Sequence, residues 1–237
     1  MARSLMRPKG TAMSEAAETK TVKPGVAPAT LLIMTGVTGI VDAVSYLALG
    51  HVFTANMTGN VVLLGFALAG TEGLSVSRSL LALFCFFLGA IGGGRISVEQ
   101  ARRAFAVEAI LLIAAAAIAF RPDLRSGPTP IAIYGIIATT AIAMGMRNAM
   151  VRKLAVPDLT TTVLTLTITG LAADSSLAHG GNPRWQRRCA SVLMMLTGAA
   201  AGATLLRRSV ALTMGIAAAG TAACVFAAYR AHRNDAN

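Results

Sequence analysis

From Ala29 to Tyr229 the chain alternates between long apolar runs and short connections that carry the charges, prolines and many of the glycines. Eight runs can be marked: Ala29–Leu49, Phe53–Ala69, Leu80–Ile96, Ala104–Phe120, Pro130–Met150, Leu159–Ala172, Ser191–Leu206 and Val210–Tyr229. Most are about 17–25 residues long, enough for a helix to cross a hydrocarbon core of ~30 Å. Pro122, Gly127, Pro128, Pro130, Pro157 and Pro183 fall in the connections, where helices end. The pattern predicts an all-α polytopic membrane protein, with the lipid bilayer as its first partner.

Polar residues interrupt two of these runs. Asp42 lies about 13 residues into the first, ~20 Å along a helix. A carboxylate at that depth costs on the order of 3 kcal/mol on insertion scales, so it must face protein or water. It is either a proton, cation or polar-solute site, or a structural acid bonded to neighbouring backbone. The stretch "TANMTGN" (residues 54–60) opens the second run with residue types that favour caps and turns. Asn56, Thr58 and Asn60 alternate with Met57 and Gly59, which predicts a short extended break whose freed backbone could hold a solute. The alternative is a plain N-cap, with Thr54 or Asn56 starting a helix.

Comparable features recur about 106 residues later. "GIVDA" is answered by "GMRNA", and the polar second run by "LTTTVLTLTITGLA". Gly39 matches Gly145, Gly65 matches Gly170, and Gly89 and Gly93 match Gly198 and Gly202. These offsets predict an internal duplication, residues 27–120 and 130–230. Asn148 then stands in the place of Asp42, and Thr161 and Thr165 in the place of the first-half break. Neighbouring Arg147 is read as an inner-edge residue whose side chain reaches the cytoplasm beside Arg152 and Lys153.

Charge decides how the runs cross. The net charge is +11 and only 13% of residues are charged. On a soluble chain such a balance would suggest nucleic acid, but here the bases sit mostly in short loops and tails, the positive-inside pattern. If all eight runs cross with the N-terminus inside, thirteen Lys and Arg lie inside and eight outside. If the second and sixth runs enter and leave on one side, the division becomes sixteen and five. The expectation is therefore six spanning helices plus two broken or re-entrant segments. Three spans per half make the repeat an inverted one, an architecture shared by many transporters, with the site at the interrupted segments.

The remaining residues narrow the chemistry. Residues 1–26 are polar and basic without an apolar signal-peptide core, and read as a disordered cytoplasmic tail; residues 231–237 read as a second one. Cys85, Cys189 and Cys224 are odd in number and far apart, so they predict neither disulfides nor a metal site. His51, His179 and His232 have no ligand spacing, and no nucleophile elbow, zinc helix or phosphate loop is present. No enzymatic activity, cofactor or metal is expected. "GAIGG" and "GAAAG" are small-xxx-small patterns that serve close helix packing within the chain or in a homo-oligomer.

"GIVDAVSYLALGHVFTANMTGNVVLLGFAL", with "GMRNAMVRKLAVPDLTTTVLTLTITGLAAD" downstream, resembles the YoaK-like family of bacterial integral membrane proteins, also known as a domain of unknown function. The resemblance covers roughly residues 30–229 and implies a multi-pass inner-membrane protein of six or seven helices, without naming an activity. The chain departs from the family pattern at Arg147, where Gln is usual, and at Thr165-Leu166, where a Thr-Gly pair is common. The expected function is a permease for a small solute or ion, with Asp42, Asn56, Thr58, Gly59, Asn60, Asn148, Thr161 and Thr165 as substrate- or ion-binding residues, a cation being one such partner. The competing expectation is a non-transporting scaffold or accessory subunit.

Overall fold

A computed structural model describes residues 27–120, 130–155 and 164–235. Its described residues form eight α-helices and no β-strand: α1 (Pro28–Ala48), α2 (Met57–Leu68), α3 (Val76–Arg95), α4 (Ala101–Ala119), α5 (Pro130–Leu154), α6 (Leu164–Ala173), α7 (Trp185–Leu206) and α8 (Val210–Asp235). Local chemistry sets several of the starts. Proline opens α1, where its missing N–H is no loss. The side chains of Asn56 and Ser75 cap α2 and α3 by accepting from the amides of Gly59 and Arg78.

Five helices, α1, α3, α5, α7 and α8, are long and apolar enough to cross a membrane. Helix α4, with 19 residues, is ~28 Å long and differ from them chiefly by carrying Arg102, Arg103 and Glu108. By contrast α2 and α6, with 12 and 10 residues, reach only ~18 and ~15 Å. The protein is thus a multi-pass all-α membrane protein, with six long helices and two short apolar ones among its described residues. Large side chains such as Phe84, Phe87, Ile110, Ile113, Leu193 and Leu196 point outward, as lipid contact requires.

The interior is built by small residues. A Cβ on Gly198 would lie 2.1 Å from the carbonyl oxygen of Gly36, and Gly202 abuts Ile40 and Ala43. Gly89 and Gly93 abut Ile142 and Met146 in the same way, and Gly145 abuts Phe86. The glycines therefore let α7 lie directly on α1 and α3 directly on α5, backbone against backbone. In both pairs the residue numbers rise together, so the two helices run parallel.

The other contacts fix the remaining directions. Ile118 meets Gly135 while Glu108 meets Arg147, so α4 and α5 are antiparallel. Thr30 meets Cys224 while Val37 meets Gly220, so α1 and α8 are antiparallel. Arg102 stacks on Tyr229 while Thr221 lies at the Glu108–Arg147 pair, so α4 and α8 are antiparallel too. Helices α1, α4 and α7 consequently run one way and α3, α5 and α8 the other. Because α1 and α3 oppose each other, α2 makes no net crossing between them, and α6 makes none between α5 and α7. This agrees with the arrangement that the loop charges favour.

Some boundaries differ from the hydropathy pattern. Helix α7 starts at Trp185, six residues before its apolar run, and α8 continues to Asp235, past the expected domain limit at residue 230. Polar residues at helix ends extend the helix beyond the hydrocarbon without entering it, so hydropathy alone underestimates length. The start of the sixth apolar run lies outside the described residues.

Candidate functional site

The break after α1 is a partly buried piece of non-helical chain. Gly50 and His51 both take positive φ, 91° and 56°, and turn the chain back on itself. At Gly50 the positive φ disfavours a side chain, and a Cβ there would also require the Arg78 guanidinium to move. Val52, Thr54 and Ala55 are then buried inside the bundle. Tyr46 stacks on the ring of Phe53, with centroids 4.9 Å apart, and holds the loop against the end of α1.

Two buried side chains secure this loop. Asp42 is six residues before the end of α1, so it sits ~9 Å inside. Its Oδ1 accepts from the Ala55 amide at 3.1 Å, and the Thr54 and Asn56 amides also face its carboxyl. Three successive amides make a concave anion-holding surface. From the other side, Asn60 Oδ1 accepts from the Phe53 amide at 2.8 Å while its Nδ2 donates to the Phe53 carbonyl. Non-helical backbone is tolerated at membrane depth only when buried in protein or lining a polar cavity. Here Asp42 and Asn60 supply much of its hydrogen bonding, yet the Thr54 hydroxyl is buried without a partner among the described residues.

The structure separates the predicted site residues into two groups. Asp42 and Asn60 converge on the loop. Asn56 and Thr58 are exposed, the first as N-cap of α2 and the second in its first turn. Gly59 donates its amide to Asn56 at 3.2 Å and packs on the Phe53 ring. Residues 57–60 are therefore helical, which overturns the extended break expected there, and the non-helical stretch lies earlier, at 49–56, as turns and bends. The Asx geometry of Asn56 starts a helix there and overrides the alternation of polar residues. In the second half, Asn148 is half-buried on α5 and donates to the Met144 carbonyl at 2.8 Å. Thr165 is exposed on α6, and Thr161 lies outside the described residues.

Arg147 does not reach for the cytoplasm. It is almost completely buried, 1% exposed, and pairs through Nη2 with the carboxylate of Glu108, which is 0% exposed. Its Nη1 donates to the Met34 carbonyl at 2.7 Å and to the Thr38 hydroxyl at 2.6 Å. The Thr221 hydroxyl lies 3.4 Å from Nη2. One guanidinium thereby joins α1, α4, α5 and α8. Seven residues separate Arg147 from the end of α5, and seven separate Glu108 from the start of α4, so both lie ~10 Å inside the same face. Opposite directions of α4 and α5 bring them level. A partner at equal depth is what keeps Arg147 from snorkelling outward.

Glu108 is the functional candidate that the sequence reading missed. Its signal was present: an acid in the middle of the apolar run "AVEAILL" is subject to the same rule as Asp42. Thr35, Thr38, Asp42 and Ser45 line one buried face of α1 at spacings of 3, 4 and 3. This stripe leads from the Arg147–Glu108 pair, toward one end of the bundle, to the 49–56 loop toward the other.

A family profile described as "Protein of unknown function (DUF1275)" matches residues 30–227. UPF0700 transmembrane protein YoaK of Bacillus subtilis (strain 168) is 36% identical over 146 residues, covering 58% of this chain. The match spans 62% of that relative's own length. No solved structure matches.

Proposed function

This chain belongs to the family of proteins of unknown function (DUF1275), and we propose that it is a permease for a small solute or ion rather than an enzyme. It would sit in a bacterial inner membrane with its N-terminus in the cytoplasm, as the loop charges favour. The observation that carries the reading is the partly buried loop 49–56, whose Ala55 amide bonds Asp42, with the Thr54 and Asn56 amides facing the same carboxyl, and whose buried Thr54 hydroxyl has no partner among the described residues. A carboxylate and unwound backbone inside a bundle are the elements from which transporters build solute sites.

Helix pairing supports an inverted repeat. The α1–α7 pair has a counterpart in α5–α3, α1–α8 in α5–α4, and α2–α3 in α6–α7. The long helices α1, α3 and α4 run opposite to their counterparts α5, α7 and α8, which start 102 to 109 residues later. Such halves provide two similar packings that can exchange, which is the basis of alternating access.

The test is flux into liposomes containing the purified protein, over a panel of small cations, anions and neutral solutes. Solute uptake above protein-free liposomes, reduced at least about tenfold by Asp42→Asn with an unchanged circular dichroism spectrum, supports the permease. No uptake of any member rejects it. The scaffold reading has one observation in its favour, that Asp42 and Asn60 are both engaged by loop backbone. It predicts a co-purifying membrane partner whose binding tolerates Asn60→Ala.

A further inference from the structure

The Glu108–Arg147 pair is only half used. A guanidinium presents two parallel donors, Nε and Nη2, along one edge, a shape that matches two oxygens of a carboxylate or similar planar anion. Glu108 engages that edge through Oε1 on Nη2 alone. Both Arg147 Nε and Glu108 Oε2 are buried and make no hydrogen bond within 3.5 Å among the described residues, the Thr221 hydroxyl being the one other polar side chain facing the Glu108 carboxyl. A purely structural ion pair inside a membrane would be expected to satisfy both, because each unpaired polar atom at such burial costs about 1–3 kcal/mol. An edge held by one oxygen can be taken over by a better-fitting ligand.

We propose that Glu108 and Arg147 form a site that takes up one proton and one small monovalent oxyanion together. The proton goes to Glu108, whose carboxylate becomes a neutral acid and gives up Nη2. The anion then occupies the freed Nε–Nη2 edge with two oxygens. Charge balances in each state: Glu108 carboxylate with Arg147 before, neutral Glu108 with Arg147 and the anion after. Neither ligand enters alone, because either would leave an uncompensated charge among helices α1, α4, α5 and α8. Arg147 stays in place throughout, anchored through Nη1 to Met34 and Thr38.

The other groups facing the pair are few. From α8 they are Thr221 and Cys224, and from α1 the more distant Asp42, whose carboxyl is met by the loop amides. The inference rests on the permease reading for its purpose, since it makes that permease a proton-coupled anion carrier. The site itself can be tested without transport.

Infrared difference spectra of the purified protein between alkaline and acidic buffer would follow the C=O stretch of a protonated carboxyl, with nitrate and carbon-13 formate as probes. The expected band disappears in Glu108→Gln and persists in Asp42→Asn. Its pH midpoint rises by about one unit for each tenfold increase in either anion above its dissociation constant, because proton and anion are linked one to one. Arg147→Lys keeps the charge but not the paired edge, and should weaken the anion dependence at least about tenfold. If Glu108→Gln fails to purify, Glu108→Asp should displace the band and make the same assignment. A band that does not belong to Glu108, or a midpoint indifferent to both anions, overturns the proposal. Flux without anion-linked protonation would reject this site and leave the permease; anion-linked protonation without flux would do the reverse.

Discussion

Arg147→Gln should be among the most damaging single substitutions in the chain. It leaves the Glu108 carboxylate buried at 0% exposure without its cation, and removes the bonds to Met34 and Thr38. Breaking a buried ion pair from one side typically costs about 3–5 kcal/mol. Glu108→Gln breaks the same pair from the other side, but Arg147 keeps its two α1 partners, so its cost should fall at the lower end. The double variant removes both charges at once. If the energy lies in the pairing, the double should cost no more than Arg147→Gln alone, giving a coupling of about 3 kcal/mol. Reversible unfolding in mixed micelles, followed by far-ultraviolet circular dichroism, measures all four corners of the cycle. Additive costs would show instead that each charge is satisfied independently of the other.

Two further substitutions examine the loop and the topology. Asn60→Ala strips the Phe53 amide and carbonyl of their side-chain partners, at about 1–3 kcal/mol each, toward the low end because Phe53 is only half-buried. Hydrogen exchange across residues 52–56 should accelerate by about tenfold or more, and unchanged protection would show that the loop is held by other contacts. Glu72→Cys, in a background without Cys85, Cys189 and Cys224, should be modified from outside intact cells by a membrane-impermeant thiol reagent. Modification only after permeabilisation would place the α2–α3 connection in the cytoplasm and reverse the topology.

The architecture was largely legible because hydropathy reports a quantity that the bilayer selects directly. The eight apolar runs became eight helices, the polar-studded second and sixth of them the two short ones, and the loop charges anticipated that α2 and α6 make no net crossing. The YoaK-like resemblance likewise agrees with the family match. Asp42 was legible too, since burial of a carboxylate needs a partner and the following "TANMTGN" offered one. The position of the break was not, because an Asn that unwinds a chain and an Asn that caps a helix have the same local sequence. Arg147 was misread for a related reason. Its distance from the helix end permits snorkelling, and only the packing of α4 against α5 reveals Glu108 at the same depth. Thr58 and Thr165 illustrate the limit of composition: a threonine in an apolar run can face lipid as readily as a site.

If the chain is a permease, the buried polar stripe of α1 is part of a route across the membrane, open to water from one side and then the other. Single cysteines at Ala55 and Thr38, 2% and 1% exposed, sample its two ends in the cysteine-free background. A charged, membrane-impermeant thiol reagent should modify Ala55→Cys from outside intact cells and Thr38→Cys from the inner side of inverted vesicles, both more slowly than an exposed loop cysteine. A solute that the protein carries should protect both positions. If neither cysteine reacts from either side while both proteins remain folded, the stripe is a sealed structural core, and the permease account is wrong.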